Sequence, residues 1–207
     1  MEAKWKFTRW IGSVLASPGT APVAEYRIER GKRGTAILRS GTLSFTGYST
    51  TGGFVGSTNA TSGMVEGDLS NARGWVEAPV ATLSTRNELR DRDMRGALEV
   101  ERYPIVRFDL WRVDVLLDED TGDESVAVTL RGGLDIHGVT RVVELPAVIS
   151  FDDHSIHVTS AFPLDVETFG IGSLTRLFGL FRMKREIEVT IDLLFMRLNA
   201  NGPLTVE

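Results

Sequence analysis

Apolar and polar residues alternate along most of the chain from Tyr26 onward, a period of two that is typical of β-strands with one buried face. In the run 187–195 each odd-numbered residue is apolar, while Glu188, Thr190 and Asp192 lie between them. Turn signals such as Thr51-Gly52-Gly53 separate the runs. We count roughly eight strands with short connections, which predicts an all-β fold: an antiparallel barrel that leaves no edge strand exposed. The alternation alone fits a packed core and a hollow interior equally well.

One interruption of this pattern is a charged stretch, residues 86–99, which has few β-formers. We interpret it as a helical turn or an ordered loop. Asp91 and Asp93 lie among three arginines, Arg90, Arg92 and Arg95, which favours a salt-bridged structural element over a pair of catalytic carboxylates.

A second interruption is apolar rather than charged. Residues 170–182 place Leu174, Leu177, Phe178 and Phe181 at helical spacing among glycines. We expect a short helix near 171–181 that closes the mouth of the barrel, either as a movable lid or as a fixed plug.

The first residues show a third pattern, because Phe7, Trp10, Ile11, Val14 and Leu15 follow the spacing of one helical face. This predicts an amphipathic helix over residues 5–16. Two partners fit its apolar face: the barrel or a neighbouring subunit, and a membrane interface.

The length and charge of the chain limit the number of domains and the classes of partner that it can have. A chain of 207 residues suits one barrel domain, for which we predict the bounds 23–199, with residues 1–22 as helix and linker and 200–207 as a tail. The net charge of −5 argues against nucleic acid as a partner.

The sequence shows no sign of a membrane-spanning helix, because no stretch reaches the roughly 20 apolar residues that such a helix needs. The N-terminus lacks the unbroken apolar run of a secretory signal, which favours the cytoplasm over the periplasm or secretion.

The chain has few residues that could act in catalysis or bind a metal ion. The chain has no cysteine, which excludes disulfides and thiolate metal sites, and it has three histidines, His137, His154 and His157. His154 and His157 lie near a turn and, on a strand, their rings would face opposite sides of the sheet. His137 lies in a turn, where an exposed side chain is expected. Because no nucleophile elbow, phosphate loop or zinc motif is present, we expect no catalytic centre, no metal site and no cofactor.

Three motifs in the middle of the chain carry a family resemblance. The first begins Thr85-x-Asn87, continues Arg90-Asp91-x-Asp93-Met94-Arg95 and leads into Tyr103-Pro104-Ile105-Val106-Arg107-Phe108. The second is Leu134-Asp135-Ile136-His137-Gly138-Val139-Thr140, and the third, which is weaker, combines Phe162-Pro163-Leu164 with Phe169-Gly170-Ile171. Through these motifs, about residues 26–197 resemble the YceI-like family of lipid-binding bacterial proteins.

The resemblance implies an extended, lipocalin-like barrel of eight antiparallel strands that holds a long isoprenoid or another amphiphile in its pore. Two positions depart from the family pattern. Asp93 stands where the first motif has histidine, and Arg30-Gly31-Lys32-Arg33-Gly34 occupies the stretch where the family has an aspartate followed by His-Ser.

Two functions follow as hypotheses. The first is a non-catalytic binding protein that stores or transports a hydrophobic small molecule, such as an isoprenoid, an isoprenoid quinone or a fatty-acid-like lipid. The alternative is a structural or interaction module with a filled barrel core, whose helix mediates homodimer or membrane contact. For the first, the expected ligand-binding residues of the barrel interior and mouth are Phe45, Phe54, Phe108, Leu130, Leu145, Phe162, Leu164, Phe169, Leu174, Leu177, Phe178, Phe181, Val189 and Ile191.

Overall fold

Nine strand segments occupy eight positions around a closed antiparallel barrel in the computed structural model, which describes residues 34–49, 52–69, 71–116, 125–172 and 184–198. The segments are β1 (Gly34–Ser49), β2 (Gly52–Thr58), β3 (Ser62–Gly67), β4 (Arg73–Pro79), β5 (Ile105–Val115), β6 (Ser125–Ile136), β7 (Val139–Phe151), β8 (Ser155–Asp165) and β9 (Glu186–Arg197). The described part also contains helix α1 (Glu88–Ala97) and two short 3-10 helices, Val80–Thr82 and Val166–Phe169. Because β1 pairs with β9, the sheet closes, and the predicted eight-stranded antiparallel barrel is confirmed.

The ninth segment arises because β2 and β3 are two parts of one interrupted strand. Both pair with the same edge of β1, and the pairs Leu43–Thr58 and Ile37–Met64 belong to one continuous register. Between them the ladder is replaced by side-chain contacts, such as the hydrogen bond from the Thr61 hydroxyl to the Gly41 carbonyl at 3.2 Å. A Cβ on Gly41 would lie 2.7 Å from this hydroxyl oxygen, so the close approach of the two strands depends on glycine.

The two ends of the barrel differ. At one end, which we call the helix end, one cavity is lined by α1, the end of β1, the start of β2, the end of β6 and the 3-10 helix that follows β8. The turn between β6 and β7 consists of His137 and Gly138 alone, both with positive φ, as a tight hairpin of two residues requires. The other end, which we call the opposite end, contains the start of β1, the turn between β7 and β8, and the end of β9.

Side chains fill the barrel interior toward the opposite end. Val128 on β6 is fully buried, and Leu193 and Phe195 on β9 are buried against Ala36 of β1. Each such side chain contributes about 1.5–3 kcal/mol through removal of apolar surface from water. This half of the barrel is therefore a packed core that stabilises the fold.

Two predicted elements fall largely beyond the described part of the chain. The amphipathic helix over residues 5–16 lies outside it, and of the predicted lid, 171–181, only Ile171 and Gly172 are described. Among the helices of the described ranges, none has the length and hydropathy of a membrane-spanning segment.

Candidate ligand cavity

A cavity of about 500 Å³ occupies the helix end of the barrel. Its walls are the inward faces of β1, β2 and β5 to β9, and α1 lies across them. The period of two explains the walls, because Ile187, Val189 and Ile191 of β9 all point inward from one strand. The size is typical of small-molecule sites, which measure roughly 300–1,000 Å³.

The cavity surface is mainly apolar. Strands, 3-10 helices and α1 all contribute aliphatic or aromatic side chains. The apolar lining residues are Leu43, Phe45, Phe54, Val80, Leu83, Leu89, Met94, Ala97, Leu98, Val106, Phe108, Leu134, Ile136, Leu145, Phe162, Leu164, Val166, Ile171, Ile187, Val189 and Ile191. Such a surface binds without directional preference, by removal of apolar area from water.

Aromatic rings cover glycines at the wall formed by β1 and β2. Phe45 is paired with Gly56 and Phe54 with Gly47, and the two rings meet edge to face with centroids 6.1 Å apart. A Cβ on Gly56 would lie 2.4 Å from the Phe45 ring. These two glycines provide the room in which the Phe45 and Phe54 rings lie.

Four polar side chains interrupt the apolar lining of the described residues: Ser49, Asn87, Arg90 and Asp93. Three of these side chains have a contact partner nearby. The Ser49 hydroxyl donates to the Gly52 carbonyl at 3.0 Å, Asn87 caps α1 by accepting the Arg90 N–H at 3.0 Å, and the Arg90 guanidinium lies 4.4 Å from the centroid of the Phe54 ring. Asp93 is the exception, because its buried Oδ2 atom has no hydrogen-bond partner in the described part.

Helix α1 is held in place by a buried carboxylate, Asp91, which is 5 % exposed. It accepts hydrogen bonds of 2.6–2.8 Å from the Thr85 N–H, the Thr85 hydroxyl and the Ser84 hydroxyl. Burial opposes its ionisation, but these hydrogen bonds, with help from the charge of Arg95, outweigh that effect and hold the pKa of Asp91 below its ordinary value. The helix over residues 88–97 agrees with the helical alternative predicted for this stretch, but the expected salt bridge is wrong for Asp91, because neutral donors hold its carboxylate.

The same donors connect α1 to the barrel wall. Ser84 and Ser57 of β2 exchange two backbone hydrogen bonds of 3.0 Å, so the segment that carries Thr85 is fixed to the strand that carries Phe54. The position and orientation of α1 over the cavity therefore follow from one hydrogen-bonded network, which joins Asp91 through Ser84 and Thr85 to β2.

A largely buried histidine joins the remaining elements of the helix end. His137 was expected to be exposed, but its side chain is only 11 % exposed. Its Nδ1 lies 3.4 Å from the Phe169 carbonyl oxygen, its ring packs against Tyr103 with centroids 4.6 Å apart, and its Nε2 lies 3.4 Å from a Glu99 carboxylate oxygen without the alignment of a hydrogen bond. The side chain of His137 thus connects the end of β6 with the chain after α1 and the 3-10 helix after β8.

The expected ligand-binding residues separate into three groups. Eight line the cavity: Phe45, Phe54, Phe108, Leu145, Phe162, Leu164, Val189 and Ile191. Two are buried elsewhere, Leu130 in the packed core and Phe169, 1 % exposed, in a cluster with Leu134 and Ile171. Four lie outside the described residues: Leu174, Leu177, Phe178 and Phe181. Their role in binding stays a prediction.

The main omission from the expected set is α1. Arg90, Met94, Ala97 and Leu98 line the cavity, and they stand at i, i+4, i+7 and i+8, the spacing of one helical face. That spacing was available in the sequence, but the density of charge in residues 86–99 obscured it.

The remaining histidines lie away from the cavity. His154 is in the turn between β7 and β8 at the opposite end, and His157 Nε2 contacts Asp192 Oδ1 at 2.8 Å on the surface. Across the ranges that the structure describes, no group of three histidine or acidic side chains is arranged to bind a metal ion.

Comparison with known proteins gives matches by domain family and by fold. A family model of the YceI-like domain matches residues 37–195. A search of curated proteins returns no significant match.

Solved structures share the fold at low sequence identity. A polyisoprenoid-binding domain from Saccharophagus degradans, implicated in plant cell wall breakdown, has a TM-score of 0.65 at 14 % identity, over 81 % of this chain and 100 % of its own. BcnA from Burkholderia cenocepacia has a TM-score of 0.62 at 15 % identity, over 74 % and 95 %. The YceI protein of Campylobacter jejuni has a TM-score of 0.54 at 18 % identity, over 70 % and 85 %. At these identities the likeness shows the fold alone.

Proposed function

Because this chain belongs to the YceI-like family, we propose that it is a non-catalytic binding protein whose barrel holds a long hydrophobic or amphiphilic molecule for storage or transport. The observation that carries this proposal is the cavity of about 500 Å³ at the helix end. An apolar space of this size forfeits dispersion contacts when it is empty, and a ligand restores them. Binding then gains about 25 cal/mol per Å² of apolar ligand surface removed from water.

The ligand class follows from the lining. Long apolar walls with few polar groups suit an isoprenoid, an isoprenoid quinone or a fatty-acid-like chain, in which a flexible tail is bound and one end is oriented. The Saccharophagus degradans domain, which has the same fold, is described as polyisoprenoid-binding. This description supports an isoprenoid as the first candidate for this chain.

The position of α1 also supports a binding function. The helix and its C-cap contribute Met94, Ala97 and Leu98 to the cavity, yet the helix is fixed to the barrel through Asp91 rather than through these apolar side chains alone. A ligand can therefore occupy the space beneath the helix without removing what holds it in place.

The proposal is tested with the full chain purified from cells. Native mass spectrometry and lipid extraction should reveal a bound amphiphile at up to one molecule per barrel. After delipidation, the probe dodecan-1-ol should raise the melting temperature, since a ligand at 100 times its Kd stabilises the folded state by about 2.7 kcal/mol. A ligand-free protein whose melting temperature does not respond to the probe would instead support the structural module with a filled core.

A further inference from the structure

We propose that the polar end of the ligand is a hydrogen-bond donor, a hydroxyl, amide or amine, and that the carboxylate of Asp93 accepts it inside the cavity. This inference rests on the proposed function. It adds a polar subsite and a ligand class to a cavity that is otherwise apolar.

The first observation is the contrast between two aspartates on one helix. Asp91 accepts three hydrogen bonds, so its buried carboxylate is satisfied. Asp93, two residues later, lines the cavity, and its Oδ2 atom is buried without a partner among the described residues. A buried carboxylate oxygen without a donor is costly, so the protein gains free energy when a rotation of the Asp93 side chain turns this oxygen from the cavity wall toward a donor in the cavity.

The neighbouring cation does not fill this role. Arg90 stands one turn before Asp93 on the same face of α1, but its guanidinium lies over the Phe54 ring, 4.4 Å from the centroid. Among the residues described, no hydrogen bond or ion pair joins Asp93 to an arginine. Within the described part of the chain, the Asp93 carboxylate therefore lines the cavity without a cation partner.

The local charge of Asp93, rather than the net charge of the cavity, then selects between ligand ends. Arg90 and Asp93 are the charged residues of its described lining, and their formal charges cancel. A carboxylate or phosphate placed beside Asp93 would meet a like charge in a site of low dielectric, whereas a hydroxyl or amide would donate to it. We therefore expect amphiphiles with a donor end to be preferred over anionic amphiphiles of the same chain length.

The test compares dodecan-1-ol with dodecanoate at pH 7, by displacement of a fluorescent apolar probe from the delipidated full chain. The wild-type protein should bind the alcohol about tenfold more tightly or better, the factor that a hydrogen bond to a charged group can supply. The substitution Asp93→Asn keeps the shape of the side chain and removes its charge, so it should abolish most of this preference by improving dodecanoate binding. Glu88→Gln removes the same charge from the exposed first turn of α1, outside the cavity lining, and should leave the preference unchanged.

The outcomes separate this inference from the proposed function. If the wild-type protein binds both probes with equal affinity, or if Asp93→Asn leaves the preference intact, the Asp93 subsite is overturned while the binding function stands. If the wild-type protein binds neither probe and carries no amphiphile from cells, the proposed function fails, and the subsite fails with it.

Discussion

The carboxylate of Asp91 accepts both hydrogen-bond donors of Thr85, the backbone N–H at 2.7 Å and the hydroxyl at 2.6 Å. This pair joins α1 to the segment that follows the 3-10 helix Val80–Thr82, so the fold over the cavity depends on a polar contact rather than on apolar packing alone. Because the contact is buried, loss of either partner leaves unsatisfied groups in the interior.

We expect Asp91→Ala to lower the free energy of unfolding by about 3 kcal/mol, since two buried donors of Thr85 and the partly buried Ser84 hydroxyl lose their acceptor. Urea denaturation at pH 7 measures this difference. Glu88→Ala, at the exposed start of the same helix, is the matched control and should change stability by less than about 0.5 kcal/mol. Equal effects of the two substitutions would contradict an anchoring role for Asp91.

The same carboxylate predicts a pH dependence. Its pKa in the folded protein lies below the ordinary value of 3.8, so the unfolded state binds its proton first as the pH falls. The stabilisation from ionised Asp91 is therefore fully present above the ordinary pKa and is lost as the pH falls through the folded-state pKa. We expect the stability difference between the wild-type protein and Asp91→Asn to be constant from pH 7 to pH 5 and to shrink below about pH 4. Urea denaturation at a series of pH values tests this prediction. A stability difference that grows toward low pH would contradict a lowered pKa of Asp91.

The glycines beneath the aromatic rings give a third prediction. A Cβ on Gly56 would lie 2.4 Å from the Phe45 ring, whereas a Cβ on Gly34, at the start of β1, would meet no atom within 4 Å. We expect Gly56→Ala to displace the Phe45 ring, which lines the cavity, and to cost about 1–3 kcal/mol of stability. Thermal denaturation and probe binding should both show a loss for Gly56→Ala, and Gly34→Ala should show neither.

The barrel could be predicted from the sequence because a period of two is a local property of each strand. For β9 the alternation over 187–195 falls within the observed strand, Glu186–Arg197. The contact between Phe45 and Gly56 is of another kind, because it depends on the register between two strands, which alternation does not specify. For this reason alternation identifies residues that point inward, such as Val189 and Ile191, but it specifies neither the position nor the size of the space between them.

Helix α1 shows a second limit of prediction from the sequence. Its sequence is dominated by charge, yet a single buried carboxylate, Asp91, decides how it packs, and the neighbouring Asp93 faces the cavity. The two residues have the same chemistry and lie two positions apart, so composition treats them alike. Their different roles come from the helical rotation of about 200° between them, which becomes informative only when the position of the barrel is known.

Residues 5–16, which lie outside the described part of the chain, remain a predicted amphipathic helix with two candidate partners. We expect the barrel to be the partner, so Trp10→Glu should lower the melting temperature by about 2–4 °C for each kcal/mol of lost packing, while binding to anionic vesicles is absent before and after the change. Arg9→Glu, on the polar face, is the control and should leave the melting temperature unchanged. Vesicle binding by the wild-type protein that disappears in Trp10→Glu, at constant melting temperature, would instead identify the membrane as the partner.

The last prediction concerns the cavity itself. Ala97 is a small residue on the face of α1 that lines it, and tryptophan at this position should occupy part of the space that the ligand needs. We expect Ala97→Trp to remove the amphiphile that copurifies with the wild-type protein and to raise the Kd for dodecan-1-ol about tenfold or more, because the added ring displaces apolar ligand contacts. Arg92→Trp, on the exposed side of the same helix, adds the same ring outside the cavity lining and should bind as the wild-type protein does. Native mass spectrometry and probe displacement check both variants; unchanged binding by a folded Ala97→Trp protein would place the ligand elsewhere.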